Sequence, residues 1–204
     1  GYGIYAQYNK IINIYDGTIK GAKQGIRTNS VLKIYGGTIE GTDETSNAIY
    51  TTGEVTVTGG TVKAVGTGAT IDQRGSAKLN ISGGTIENTG SGPAISSSLS
   101  STNGSFTIGG NAEIISNNPD SDSGTIYVSG SQGSLLIAGA KVVNTSETGN
   151  GIFCENPIQA NIRSGNPEIK GGNLAIKGLA PIVRLNMKGM ASSDFDGEDQ
   201  EDYA

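Results

Sequence analysis

The chain has 204 residues, 33 of them Gly and 5 Pro, with 34% apolar residues, one Cys and no His. Glycine at about twice its usual share without a Gly-X-Y period excludes collagen, a lone cysteine excludes an intramolecular disulfide, and no run approaches the ~18 apolar residues of a membrane-spanning helix. The net charge of −5 is concentrated in Asp194 to Asp202, which holds six of the 19 acids and no base; the rest balances 14 bases against 13 acids, or +1, so the body is not built to neutralise a phosphate backbone and nucleic acid is not expected as a partner.

In chain order, the first residues, Gly1-Tyr2-Gly3-Ile4, already read as mid-repeat, so the chain is expected to be a piece of a longer precursor. No signal-peptide pattern opens it. Internal repeats then dominate. Ile14-Tyr15-Asp16-Gly17-Thr18-Ile19-Lys20 returns as Ile34-Tyr35-Gly36-Gly37-Thr38-Ile39-Glu40, as Val57-Thr58-Gly59-Gly60-Thr61-Val62-Lys63 and as Ile81-Ser82-Gly83-Gly84-Thr85-Ile86-Glu87. Degenerate copies follow at Ile108 to Ile114, Ile137 to Val142 and near Ile162 to Ile169. The anchors Ile14, Ile34, Val57, Ile81, Ile108, Ile137 and Ile162 are 20, 23, 24, 27, 29 and 25 residues apart. A shorter motif precedes each copy: Gly3-Ile4-Tyr5, Gly25-Ile26-Arg27, Ala48-Ile49-Tyr50, Thr70-Ile71-Asp72, Ala94-Ile95-Ser96, Thr125-Ile126-Tyr127 and Gly151-Ile152-Phe153.

Within each motif the apolar period is two, which excludes helix for most of the chain. The strands are too short for an ordinary sheet. Stacked coils solve this: each strand pairs in parallel with its equivalent one repeat on, about 4.8 Å away, and the inward Ile and Val form ladders. The expected fold is all-β, a single-stranded parallel β-helix with three short strands per coil. It should have seven clear coils and an irregular eighth, and a length of roughly 35–40 Å. The glycine pair should turn the corner between the second and third strands, where a positive φ or a missing Cβ is needed. Residues 1–191 are assigned to the β-helix, with a last coil or cap near 174–190 carrying Val183, Leu185 and Met187; residues 192–204 are assigned to an acidic tail or linker. An uncapped end exposes unpaired backbone, so end-to-end self-association is expected.

The Ile-x-Gly-Gly-Thr-Ile-Glu repeats, over roughly residues 3–170, resemble those of bacterial cell-surface right-handed β-helix proteins of the broad pectin-lyase-like architecture. The right-handed sense comes from that resemblance. It also implies a secreted or cell-surface bacterial protein, either an adhesin or polysaccharide-binding module or a polysaccharide lyase or glycoside hydrolase. Fold likeness of this kind is specific for architecture and poor for function.

Stacking places Tyr5, Arg27, Tyr50, Asp72, Ser96, Tyr127 and Phe153 in one outward column of the first strands. Gln7, Asn29, Thr52, Arg74, Ser98, Ser129 and Glu155 form a second column two residues on. Aromatic rings among amides and charges suit sugars, so Tyr5, Arg27, Tyr50, Asp72, Arg74, Tyr127 and Phe153 are the candidate ligand-binding residues, with a polysaccharide or host glycan as partner. Strand propensity alone also accounts for exposed tyrosine, and is the plainer reading of the column. Tyr15 and Tyr35 form a shorter stack on the second face. Outward Lys20, Glu40, Lys63 and Glu87 read as ion pairing between neighbouring strands. Cys154, two residues after inward Ile152, is expected to be a buried inert thiol in a slot for small side chains, since Thr28 and Ser97 occupy equivalent positions.

No catalytic constellation is visible: the chain lacks His, and no acid neighbours Asp72 in its column at the ~5–9 Å of a glycosidase pair. No cofactor is assigned. Asn117 to Asp122 and Asp194 to Asp202 offer oxygens, but neither has the spacing of a calcium loop, so Ca²⁺ has weak support and a turn and a solvated acidic tail are expected instead. Thr56 and Thr58 are too few for an ice-binding array. The expectation is therefore a non-catalytic surface or secreted module, adhesin-like or polysaccharide-binding. The alternatives are a carbohydrate-active enzyme and a purely structural stalk.

Overall fold

The computed structural model describes residues 1–178 except 9, 76, 101, 157, 164 and 166, together with the backbone of Ile182–Leu185. Every regular element among the described residues is a strand, and the strands fall into three parallel sheets that every coil visits in turn. The first sheet stacks β1 (Tyr2–Ala6), β4 (Gln24–Thr28), β7 (Asn47–Thr51), β10 (Ile71–Gln73), β13 (Ile95–Ser97), β16 (Gly124–Val128), β19 (Asn150–Cys154) and β22 (Ile176–Gly178). The second stacks β2 (Ile11–Ile14), β5 (Val31–Ile34), β8 (Val55–Val57), β11 (Leu79–Ile81), β14 (Ser105–Gly109), β17 (Ser134–Ala138), β20 (Gln159–Arg163) and β23 (Ile182–Leu185). The third stacks β3 (Thr18–Gly21), β6 (Thr38–Gly41), β9 (Thr61–Ala64), β12 (Thr85–Asn88), β15 (Glu113–Ser116), β18 (Lys141–Asn144) and β21 (Glu168–Lys170). This is a parallel β-solenoid of about seven turns, as the repeat spacing requires.

The register follows the anchors. Ile4, Ile26, Ile49, Ile71, Ile95, Ile126, Ile152 and Ile176 are consecutive partners, an unbroken isoleucine ladder through the first sheet. Ile14, Ile34, Val57, Ile81, Ile108 and Ile137 do the same in the second sheet, and Ile19, Ile39, Val62, Ile86, Ile114, Val142 and Ile169 in the third. The three ladders meet along the axis. Each interior member is fully buried, which at ~1.5–3 kcal/mol per aliphatic side chain is the main force holding the coils together. In the first coil Ile4, Ile12 and Ile19 are only half-buried, because that coil has a neighbour on one side only.

The glycine corner is where the sequence puts it. Gly17, Gly37, Gly60, Gly84, Gly110, Gly139 and Gly165 all have positive φ. Each such residue in coils one to four offers its carbonyl to the next coil, as Thr38 N–H does with Gly17 O at 2.8 Å and Thr61 N–H with Gly37 O at 2.9 Å. The corner into the next coil is different. There Asn88 and Asn144, both nearly buried, donate through Nδ2 to loop carbonyls (Gly68 and Pro93; Asn118 and Asn150) and accept an N–H two residues on. These side chains satisfy backbone groups that a wide turn would otherwise bury unpaired.

Cys154 is buried as expected, and burial pushes its thiol up to about 12. Its column, however, runs Thr28, Thr51, Gln73, Ser97, Val128 and Cys154, so the slot is not reserved for small side chains. Gln73 fits because it bends toward the turn after its strand: its Nε2 donates to Ala77 O, and its Oε1 accepts from Ser97 Oγ at 2.7 Å. The last coil is present in backbone, with Val183 and Leu185 in register with Ala160 and Ile162. Met187, the 191/192 boundary and the acidic tail lie outside the described residues.

Candidate functional site

The outer face of the first sheet carries the column the repeats define. Tyr5, Arg27, Tyr50, Asp72, Ser96, Tyr127 and Phe153 are consecutive register partners, and Lys177 extends the series by one. Lys177 escaped the sequence reading because its coil has lost the glycine pair that marks the others. Isoleucine alternation fixes the direction of each of these side chains, since Tyr5 follows inward Ile4 as Phe153 follows inward Ile152.

Neighbours in the column then decide what each residue presents. Tyr5 stacks on Tyr2 with ring centroids 5.2 Å apart, and Tyr127 stacks on Phe153 at 5.9 Å with planes 7° apart. The Arg27 guanidinium lies 4.9 Å from the Tyr50 ring centroid and 5.9 Å from that of Tyr2, and Lys177 Nζ lies 5.8 Å from the Phe153 centroid. Much of the ring-face area is therefore used inside the column, and hydroxyls, ring edges and amides are left for a ligand. Phe153 and Asp72 are each only 7% exposed, so neither offers an open surface, whereas Tyr5 is 54% exposed. The same logic holds on the second sheet, where Tyr15 and Tyr35 stack at 5.0 Å.

The second column partners the first. Arg74 grips Asp72 with two contacts, Nε 2.7 Å from Oδ1 and Nη2 donating to Oδ2 at 3.0 Å. That hydrogen bond holds the guanidinium's pKa above its usual value despite partial burial. Tyr127 donates its hydroxyl to Glu155 Oε2 at 2.6 Å. Burial, and then this bond to a carboxylate, push the phenol up to about 12. Gln7 donates to the Tyr5 hydroxyl, and Asn29 Oδ1 accepts the N–H of Tyr8, which sits at φ 64°.

Comparison with protein-family models, with curated proteins and with solved structures finds no match to this chain. Function must therefore be read from the site itself.

Two clefts among the described residues bear on function. One, of about 180 Å³, lies on the candidate face between Tyr5, Gln7, Arg27, Thr28, Asn29, Tyr50 and Thr52. It brings together three of the sequence-identified residues, Tyr5, Arg27 and Tyr50, and leaves Asp72 with Arg74, and Tyr127 with Phe153, as separate groups further along. The other, of about 400 Å³, is an open depression among turn residues including Gly92, Pro93, Asn118 and Asp120. Its floor is the Asn117 to Asp122 turn. That turn is tied by Asn118, which donates to Ser123 Oγ and Gly124 O, by Asn150, and by Lys177, whose Nζ is 3.3 Å from Asp122 Oδ1. No group of three or more His, Cys, Asp or Glu side chains among the described residues is arranged to hold a metal ion. On the third sheet Glu40 sits between Lys20 at 2.8 Å and Lys63 at 3.2 Å, and the hydrogen bond from Lys20 holds its carboxyl below the usual range. That ladder is self-satisfied and asks for no ligand.

Proposed function

We propose that this chain is a non-catalytic glycan-binding module, the adhesin-like or polysaccharide-binding kind of pectin-lyase-like β-helix, borne on a secreted or cell-surface bacterial protein. The observation that supports this most is the first-sheet face. Eight residues in strict register, four of them aromatic, stand beside a column of amide, hydroxyl and charged groups, and a cleft opens at one end. Repetition every ~4.8 Å gives a linear polymer several regularly spaced contacts along one face.

The two acids of this face argue against the hydrolase alternative. Asp72 and Glu155 stand three coils apart, about 14 Å along the axis, beyond the ~9.5 Å span of an inverting pair. Both are already engaged, by Arg74 and Tyr127. The stalk reading is favoured by a different observation, that ring faces are spent on one another. The test is a glycan array probed with the chain and with its Tyr5→Ala, Tyr50→Ala and Tyr127→Ala variants, alongside a polysaccharide-degradation assay with added Ca²⁺. Retention of a glycan class that weakens in the Tyr5 and Tyr50 variants, without degradation, supports the module; a stalk retains nothing, and released oligosaccharide would establish the enzyme.

A further inference from the structure

Arg27 is the unusual member of the candidate face. Arg27 is half-buried, and among the described residues no carboxylate lies within ion-pair distance of it. Its partners are instead the rings of Tyr50 and Tyr2. The other arginine of this face, Arg74, has Asp72 on two of its nitrogens. A ring partially compensates a cation without using its in-plane N–H donors; the Tyr2 hydroxyl accepts from the guanidinium, and the donors that remain are of the kind that match the two oxygens of an oxyanion.

The rest of the cleft is biased the same way. Tyr5 accepts from Gln7 Nε2, so its own O–H is left to donate. Asn29 spends its carbonyl oxygen on Tyr8 N–H, so its amide NH₂ is the group left over. Thr52 adds an exposed hydroxyl, and no Asp or Glu lines the space. At about 180 Å³ the cleft is smaller than the ~300–1,000 Å³ of a site that encloses a ligand, and it suits one sugar unit or one substituent.

We infer that this cleft, between the first three coils, is an anion subsite in which Arg27, supported by the Tyr5 hydroxyl and the Asn29 amide, takes an oxyanion group carried on the bound sugar, a carboxylate or a sulfate ester. The inference rests on the reading of this face as a glycan-binding surface and assigns it a preference for acidic chains. A charge-assisted, two-pronged contact of this kind makes an acidic chain bind roughly tenfold or more better than its neutral counterpart. It also makes the advantage shrink with salt, because the subsite is open to solvent.

The test measures retention of the chain by affinity electrophoresis in alginate (a polyuronate), in carrageenan (a sulfated galactan) and in neutral agarose. It is run at about 50 mM and about 500 mM NaCl, where screening differs several-fold. The variants are Arg27→Gln, Arg27→Lys and, as a control for net charge on another face, Arg163→Gln. In parallel, sodium sulfate is titrated while the Arg27 side-chain Nε–Hε resonance is followed.

Preference for one of the two acidic polymers over agarose, lost in Arg27→Gln, partly kept in Arg27→Lys and unchanged in Arg163→Gln, is the expected result; which polymer is preferred identifies the group. Agarose retention equal to that of both acidic polymers, or an acid preference that Arg27→Gln leaves intact, overturns the inference while leaving the glycan-binding reading in place. A saturable sulfate shift at Arg27 with no polymer retained upholds the anion subsite and removes the glycan reading. No shift and no retention overturn both.

Discussion

Substituting alanine at the glycine corner separates two costs that the sequence alone merges. Gly60 has φ +82°, and a Cβ there would stand 2.7 Å from Gly37 O and 2.8 Å from Gly36 C, backbone atoms of the coil beneath. Gly17 occupies the same corner in the first coil with φ +91°, but a Cβ there would meet nothing within 4 Å. Gly59 lacks the positive φ, yet its Cβ would stand 2.5 Å from Tyr35 O. An alanine in the left-handed region costs about 1–2 kcal/mol, less the ~0.4–1 kcal/mol regained by restricting the unfolded chain. Forcing an atom into a packed contact between coils costs a further ~1–3 kcal/mol. Gly17→Ala is therefore expected to lose about 0.5–1.5 kcal/mol, Gly59→Ala about 0.5–2.5 and Gly60→Ala about 2–4. Urea unfolding followed by far-UV circular dichroism reads this directly: with a slope of ~2 kcal/mol/M, Gly60→Ala moves the midpoint down by roughly 1–2 M and Gly17→Ala by less than half that. Equal midpoints for Gly17→Ala and Gly60→Ala would refute the claim that close coil stacking, and not the turn conformation, makes the corner glycines obligatory.

Three further outcomes follow from the side chains. Arg74→Met leaves the nearly buried Asp72 carboxylate without its partner and is expected to cost about 1–2 kcal/mol, discounted for Arg74's exposure, while Arg74→Met with Asp72→Asn restores most of the loss; urea midpoints decide it. Tyr127 is expected to ionise near 12 in a titration followed by ultraviolet absorbance, and Glu155→Gln should lower it. Because its folded value lies above the unfolded ~10, its contribution to stability is intact below pH ~10 and is lost as pH rises toward 12, the reverse of Glu40, whose lowered value makes its contribution vanish on acidification. Cys154 should resist a thiol reagent in native buffer at mildly alkaline pH and react at once in concentrated urea; fast native labelling would show that the interior opens.

Much of the fold was legible because the repeat states it many times over. An apolar residue every second position fixes which side chains turn inward, and equal motifs one coil apart fix the register, so Tyr5 through Phe153 could be aligned as a column without coordinates. What the period does not contain is the choice of rotamer. Whether Tyr127 shows its face to solvent or lays it on Phe153 depends on the neighbour one coil away, and that choice turned a row of open platforms into a row of edges and hydroxyls. Nor does it contain the wide corner, where single buried asparagines, Asn88 and Asn144, replace a glycine signal with side-chain hydrogen bonds. Arg27 was legible as a column member but not as a guanidinium free of carboxylates, since that depends on Arg74 rather than Arg27 lying in reach of Asp72.

We propose that a ligand sits on the first-sheet face. Backbone amide shifts of the ¹⁵N-labelled chain, titrated with oligosaccharides of whichever polymer retains it, test that directly. Perturbations are expected on β1, β4 and β7 and on the turns carrying Gln7, Asn29 and Thr52, with the third sheet silent. Perturbations centred on the Lys20–Glu40–Lys63 ladder of that third sheet, or on the depression beside Asn118 and Asp120, would contradict it.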